Sequence, residues 1–234
     1  MARGTILDRE QLRGNFMFVR QLLDVMGGVR LAYLVVVALL ISSPEVHASV
    51  DSSLFTPDEW QRLEAGALVS RSTTRSKGSL RLMGGSTWQV IDAAPDVVWQ
   101  ALLDTRRYRH MMPQVLEARL IRDKDSVRTV FMRQGAKGLV EASYFLKVNV
   151  HEERRDITFS VDDERPHDLL KAAWGFYSVR PYRGGKTLLA YSVMADIESG
   201  PLLGMMRSTV HEWLLRTPSM VKSFVEGRGR RFYR

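Results

Sequence analysis

Residues 139–150 read LVEASYFLKVNV, and their alternation decides the fold. Val140, Ala142, Tyr144, Leu146, Val148 and Val150 fall on one face, while Glu141, Lys147 and Asn149 share the other with Phe145. A period of two with one apolar side is what a strand with one wet face produces. The same pattern repeats outward in both directions. Toward the N-terminus, Val127 to Gln134 alternates, set off by the turn Gly135-Ala136-Lys137-Gly138, and Leu116 to Arg122 precedes the turn Lys124-Asp125-Ser126. Toward the C-terminus, Ile157, Phe159 and Val161 alternate with Thr158, Ser160 and Asp162. Ala172 to Pro181 and Thr187 to Ile197 flank Arg183-Gly184-Gly185-Lys186, a glycine turn of hairpin type. Consecutive strands joined by turns predict an antiparallel sheet.

Helical spacing brackets these strands. Leu203, Met206, Val210, Trp213 and Leu214 form a stripe that Val221 and Phe224 continue beyond Pro218, which should kink the helix or split it in two. Ahead of the strands, Ser86 to Asp92 (STWQVID) alternates. Pro95 then opens a helix, with Asp96 suited to its dipole and Val98, Ala101 and Leu102 on its apolar face. A second short helix or turn carries Tyr108 to Pro113. Thr56-Pro57-Asp58-Glu59 is a helix start of capping-box type, running to about Ala67 with Trp60, Leu63 and Ala67 on one face. The polar stretch 70–78 reads as a linker or an edge segment. This order predicts an α+β fold. A curved antiparallel sheet of about six or seven strands has two short helices after its first strand, and a long C-terminal helix covers its concave face.

The N-terminus reads as an address. Leu31 to Ile41 (LAYLVVVALLI) carries no charge but is shorter than the roughly 20 residues a bilayer span needs. It has the length of a signal-peptide core, with Arg30 before it and Pro44 after it, and Val46-His47-Ala48 predicts cleavage after Ala48. A start at Met26 would give a compact signal; the rival is an uncleaved anchor with a cytoplasmic extension. The predicted organisation is a signal region over 1–48, a helix and linker over 49–78, the main domain over 79–226 and a basic tail over 227–234. The location expected is periplasmic or secreted.

The 234 residues are 45% apolar and 26% charged, an ordinary globular balance. With no cysteine, disulfides, thiolate metal sites and cysteine nucleophiles are excluded. The net charge is +8; taking five arginines and four acids away with residues 1–48 leaves 29 basic against 22 acidic residues, net +7. Basic charge favours anionic partners, although arginines spread along the chain read first as a solubility charge. The tail Gly227-Arg228-Gly229-Arg230-Arg231-Phe232-Tyr233-Arg234 reads as a frayed basic terminus.

Chemical signatures are sparse. His47, His110, His151, His167 and His211 show no pairing at three or four residues apart, so no helical zinc site is visible. There is no Gly-x-Ser-x-Gly elbow and no dinucleotide fingerprint. Gly185-Lys186-Thr187 imitates the end of a phosphate loop, but Arg180 stands where the first glycine is required. Arg133, Glu141, His151 and His167 are the residues from which acid–base chemistry could be assembled. No cofactor and no metal are expected.

The chain resembles the START-like superfamily, also called SRPBCC, which includes aromatase/cyclase and coenzyme Q-binding branches. Ala94-Pro95-Asp96-Val97-Val98-Trp99 looks like the family's Ala-Pro-x-x-Val-Trp helix start, and Asp104, Tyr108 and Pro113 match its following Asp, aromatic and Pro. Tyr177-Ser178-Val179-Arg180-Pro181 sits where the family often has Trp-x-Leu-x-Pro, with Tyr177 in place of Trp. Gly185-Lys186-Thr187-Leu188-Leu189-Ala190-Tyr191 matches Gly-x-Thr-x-Leu-x-Tyr, and Pro201 fits the proline before the last helix. The likeness spans roughly Gly84 to Glu226. It implies a helix-grip fold whose cavity, between sheet and final helix, accepts lipids, sterols, quinones or polyketides.

A hydrophobic ligand needs an apolar wall with a few orienting polar groups. The strands offer Phe131, Tyr144, Leu146, Tyr177, Val179, Leu189, Tyr191 and Val193. The final helix offers Met206, Val210, Trp213 and Leu214, and Met111 and Met112 could guard the mouth. The competing reading is that these side chains pack a solid core. The function expected is non-catalytic binding of a hydrophobic small molecule by an exported carrier. The alternatives are a cyclase or dehydratase acting on a bound polyketide, and a membrane-docking module. Transient contact with an anionic membrane surface is compatible with the charge; nucleic acid is not expected as a partner.

Overall fold

The computed structural model describes residues 54–136, 140–197 and 201–233. The predicted signal segment, its cleavage point and residues 137–138 of the predicted 135–138 turn lie outside them. Eight antiparallel strands form one sheet. They are β1 (Val69–Lys77), β2 (Leu80–Ile91), β3 (Val115–Lys124), β4 (Val127–Ala136), β5 (Val140–His151), β6 (Asp156–Val161), β7 (Leu170–Tyr182) and β8 (Lys186–Ile197). Their order is β1-β2-β8-β7-β6-β5-β4-β3. Each strand from β3 to β8 pairs with the next along the chain, and the meander closes when β8 pairs with β2, Trp88 opposite Ala190. Strands β2 and β3 are therefore far apart, and the chain between them must cross the sheet.

That crossing is made by α2 (Pro95–Leu103), a 3₁₀ turn (Thr105–Arg107) and α3 (Tyr108–Met111). Pro95 occupies the first turn of α2, where its missing N–H costs nothing. The preceding helix, α1 (Pro57–Glu64), carries the full capping box: Thr56 Oγ1 accepts from Glu59 N at 3.3 Å, and Glu59 Oε2 accepts from Thr56 N at 2.9 Å. Two helices end the chain, α4 (Pro201–Leu215) and α5 (Thr217–Glu226). The expected long helix is thus split at Arg216, and Pro218 sits in the first turn of its second half.

Alternation sorts the core. Ile91 and Leu189 belong to a large apolar cluster with Val98 and Leu102 of α2, Met111 of α3, and Val221, Phe224 and Val225 of α5. Their neighbours Val90 and Leu188 point the other way, into a small cluster with Phe55, Leu63 of α1 and Val69. The sheet is therefore covered on one face by the later helices and, at its β1–β2 end, on the other by α1.

Three expectations need correction. The sheet has eight strands, not six or seven, because of the two readings of the 70–78 stretch, linker or edge segment, the second holds: Val69–Lys77 is an edge strand. In β1 only Val69 is buried and nearly every later residue is exposed, so no apolar alternation marks it. Strand β2 begins at Leu80, six residues before Ser86, since Gly84-Gly85 interrupts the alternation. Both glycines have positive φ, 155° and 148°. A Cβ on Gly84 would lie 1.9 Å from the Val193 carbonyl oxygen, and one on Gly85 would lie 2.2 Å from that of Arg71. The pair permits close approach of β1 and β8 to the backbone of β2. Finally, residues 227–233 are not frayed. Gly229 N donates to Phe224 O at 2.7 Å, Tyr233 is buried, and its hydroxyl donates to Asp104 Oδ2 at 3.1 Å.

Candidate functional site

Between the inner face of the sheet and the C-terminal helices lies a cavity of about 170 Å³. Strand β5 contributes Tyr144 and Leu146, β8 contributes Tyr191 and Val193, and β7 contributes Tyr177. Helix α4 closes it with Met206, Val210, Trp213 and Leu214, and Met112 stands beyond α3. These ten residues were all expected at the site. The other four were not brought to it. Met111, Val179 and Leu189 are fully buried in the core and do not reach the cavity. Phe131 faces the opposite side of the sheet, its ring 5.3 Å from Phe145 and beneath the Arg119 guanidinium at 4.8 Å. The register explains this: Met132 opposes Tyr144, so Met132 points inward and lines the wall while Phe131 points out. In β4 both phases carry apolar residues, so the sequence alone offers no clear inner face.

The polar groups of the wall are few, and several are already engaged. Tyr144 donates its hydroxyl to Gln134 Oε1, and Gln134 Nε2 donates to Pro113 O at 2.6 Å. The rings of Tyr177 and Tyr191 stand 4.7 Å apart, with Phe159 5.7 Å from the first and 6.3 Å from the second. Thr217, also in the wall, donates its Oγ1 to Leu214 O at 3.4 Å. Tyr108 donates to Leu102 O at 2.8 Å. Sequence reasoning missed Gln134, Tyr108 and Thr217. Gln134 shares the phase of Val130 and Met132, but with both phases of β4 apolar that phase could not single it out.

Burial sets the protonation of these phenols. It pushes Tyr108 up to about 12. It also raises Tyr144, Tyr177 and Tyr191 above the ordinary tyrosine range, since no solvent stabilises a phenolate there. They remain neutral hydrogen-bonding groups. Among the described residues, no Asp, Glu, His, Lys or Arg lines the cavity. Arg133 and Glu141 pair with each other at 3.4 Å on a partly exposed face. His167 lies 4.0 Å from Asp163, and His211 Nε2 lies 2.6 Å from Gly84 O. No group of three metal-ligating side chains occurs among the described residues, and no helix among them is long and apolar enough to cross a membrane.

Comparison with known proteins agrees with this architecture. Residues 91–220 match the family described as polyketide cyclase/dehydrase and lipid transport. No curated protein is significantly similar in sequence. Among solved structures, the chain is similar to TTHA0849 from Thermus thermophilus, with a TM-score of 0.54 and 13% identity over 64% of this chain and 98% of that one. It is similar to the Zhui aromatase/cyclase from Streptomyces sp. R1128, with a TM-score of 0.53 and 14% identity over 65% and 96%. A STAR-related lipid transfer protein from Xanthomonas axonopodis gives a TM-score of 0.51 and 17% identity over 66% and 98%. At such identities the likeness is one of fold, and it is the START-like fold the motifs anticipated. With more than half of its length matched, the chain belongs to the polyketide cyclase/dehydrase and lipid transport family.

Proposed function

We propose that the protein holds a neutral, hydrophobic small molecule of lipid, sterol, quinone or polyketide kind in this cavity without transforming it, and acts as a carrier outside the cytoplasm. The observation that carries the reading is the wall itself. Its described side chains are aliphatic, aromatic, thioether, hydroxyl or amide, and its only titratable groups are phenols held protonated. Acid–base chemistry needs a group that changes protonation near the working pH. Burial of about 300 Å² of apolar ligand surface would contribute roughly 7 kcal/mol before ordering costs. The space of 170 Å³ is small beside the roughly 300 Å³ at which drug-sized pockets begin. A sterol-sized ligand therefore requires the wall to yield, and Met112, Met132 and Met206 supply unbranched side chains that can repack.

Native mass spectrometry of the purified chain, with solvent extraction of what it carries, tests the reading. A stoichiometric apolar molecule is expected, and Val210→Trp should exclude it while the protein stays folded. Protein that is always empty, and that takes up no added lipid or quinone, would remove the carrier role. The cyclase alternative draws on the hydroxyls of Tyr177, Tyr191 and Thr217. It requires that Tyr177→Phe abolish turnover of a polyketide while binding survives. Export rests on residues 31–48 and is decided by sequencing the N-terminus of the native protein.

A further inference from the structure

The C-terminal hook gathers arginines at one corner. Phe232 lies beneath the Arg107 guanidinium at 3.4 Å, and Tyr233 reaches Asp104, which also pairs with Arg106 at 2.9 Å and Arg107 at 3.1 Å. Arg228 touches His110 Nδ1 at 2.9 Å, beside Arg109, and Arg230 and Arg231 follow on the exposed outer side of the hook. An open groove joins Arg106 and Tyr233 to Arg119 and Leu120 on edge strand β3. The corner thus holds Arg106, Arg107, Arg109, Arg119, Arg228, Arg230 and Arg231. Among the described residues, the carboxylates paired with these arginines are Asp104, with Arg106 and Arg107, and Glu117, with Arg119 at 2.8 Å; nearby Glu226 is taken by Lys222 at 2.6 Å. Among the described residues, Arg109, Arg228, Arg230 and Arg231 have no carboxylate partner. His110 reports the resulting field: its pKa is lowered by burial and by the charges of Arg228, Arg109 and Arg107.

Apolar side chains stand exposed within the same corner. Phe232 is 39% exposed and Leu120, in the groove, 45%; Ile121, next to it in sequence, is 43% exposed. Unpaired cations interleaved with exposed apolar groups are the composition of a surface that lies in a headgroup layer, cations on the phosphates and apolar tips below them. A duplex phosphate backbone would satisfy the arginines but leave Leu120 and Ile121 in water. We propose that this corner docks the protein on an anionic lipid bilayer. The proposal stands apart from the ligand reading, since it concerns an outer surface and needs no occupant in the cavity.

Sedimentation of the full chain with vesicles tests it, comparing equal parts phosphatidylcholine and phosphatidylglycerol with phosphatidylcholine alone. The readout is the difference between the two compositions, because any uptake through the apolar segment 31–41 is common to both. Binding should favour the anionic vesicles and fall as salt rises, since screening shortens the reach of exposed charges. Each arginine near such a surface is worth roughly fivefold in partitioning. Replacing Arg109, Arg228, Arg230 and Arg231 by Ser should therefore lower anionic binding at least tenfold. Arg228 and Arg231 also lie over aromatic rings. A gentler variant, Arg109→Ser with Arg230→Ser, spares those rings and should still lose at least threefold. Arg75→Ser with Lys77→Ser, on the opposite edge strand β1, should change binding little. A folded quadruple or double variant that binds like the parent overturns the proposal. So does equal binding to neutral vesicles, or a preference for duplex DNA over anionic vesicles.

Discussion

Tyr144 shows how a single atom is committed at the cavity wall. Its hydroxyl satisfies Gln134 Oε1, whose amide end is fixed in turn by Pro113 O. Tyr144→Phe keeps the ring and the packing but orphans that acceptor, and a buried unsatisfied polar group costs about 1–3 kcal/mol. The expected result is a urea midpoint lowered accordingly with an unchanged slope. Adding Gln134→Leu should recover part of the loss, because removing both partners leaves nothing unsatisfied. Both residues lie on the inner phase of their strands, yet only Tyr144 was recognisable beforehand. Phe131 and Met132 show the limit of such reading. Both are large and apolar, they are adjacent, and only the pairing of Met132 with Tyr144 decides which one turns inward.

At the level of elements, the strands with one wet face were legible and those without were not. Strand β5 was clear because Tyr144, Val148 and Val150 are buried while Lys147 is exposed. Strand β1 could not be told from a linker because its residues beyond Val69 are almost all exposed and show no apolar alternation, and its pairing with β2 rests on the backbone ladder. The helix starts at Thr56 and Pro95 were legible because capping is local chemistry. The fold-back of the hook was not, since it depends on Asp104, remote in sequence from Tyr233. The Gly84-Gly85 pair hides the first half of β2 from a pattern search, and it is where the backbones of β1 and β8 leave no room for a Cβ. Gly84→Ala would force a Cβ to 1.9 Å from the Val193 oxygen at a φ of 155°. The expected loss is about 3 kcal/mol or more, among the largest for any one substitution here, read as a lowered thermal midpoint or loss of soluble protein.

Taken as a whole, the molecule keeps the phenols of Tyr108, Tyr144, Tyr177 and Tyr191 inside one apolar interior to which Tyr233 also belongs. Burial raises all four above the ordinary value of 10, that of Tyr108 to about 12. A raised pKa means that the unfolded chain loses its protons first as pH climbs. The contribution is therefore complete below pH 10 and declines as pH rises toward 12 and beyond. Thermal midpoints should fall steeply over that interval, with phenolate absorbance appearing together with unfolding. Gradual ionisation of all four without loss of structure would contradict the buried arrangement. The rim of the sheet has a separate consequence. Strand β1 ends the sheet with a row of Ser, Thr, Arg and Lys, in which Arg71, Arg75 and Lys77 are exposed. A second copy adding its own β1 alongside would bring like charges together as the ladders met. Fibrous self-polymerisation is thereby discouraged along that flank even in crowded solution.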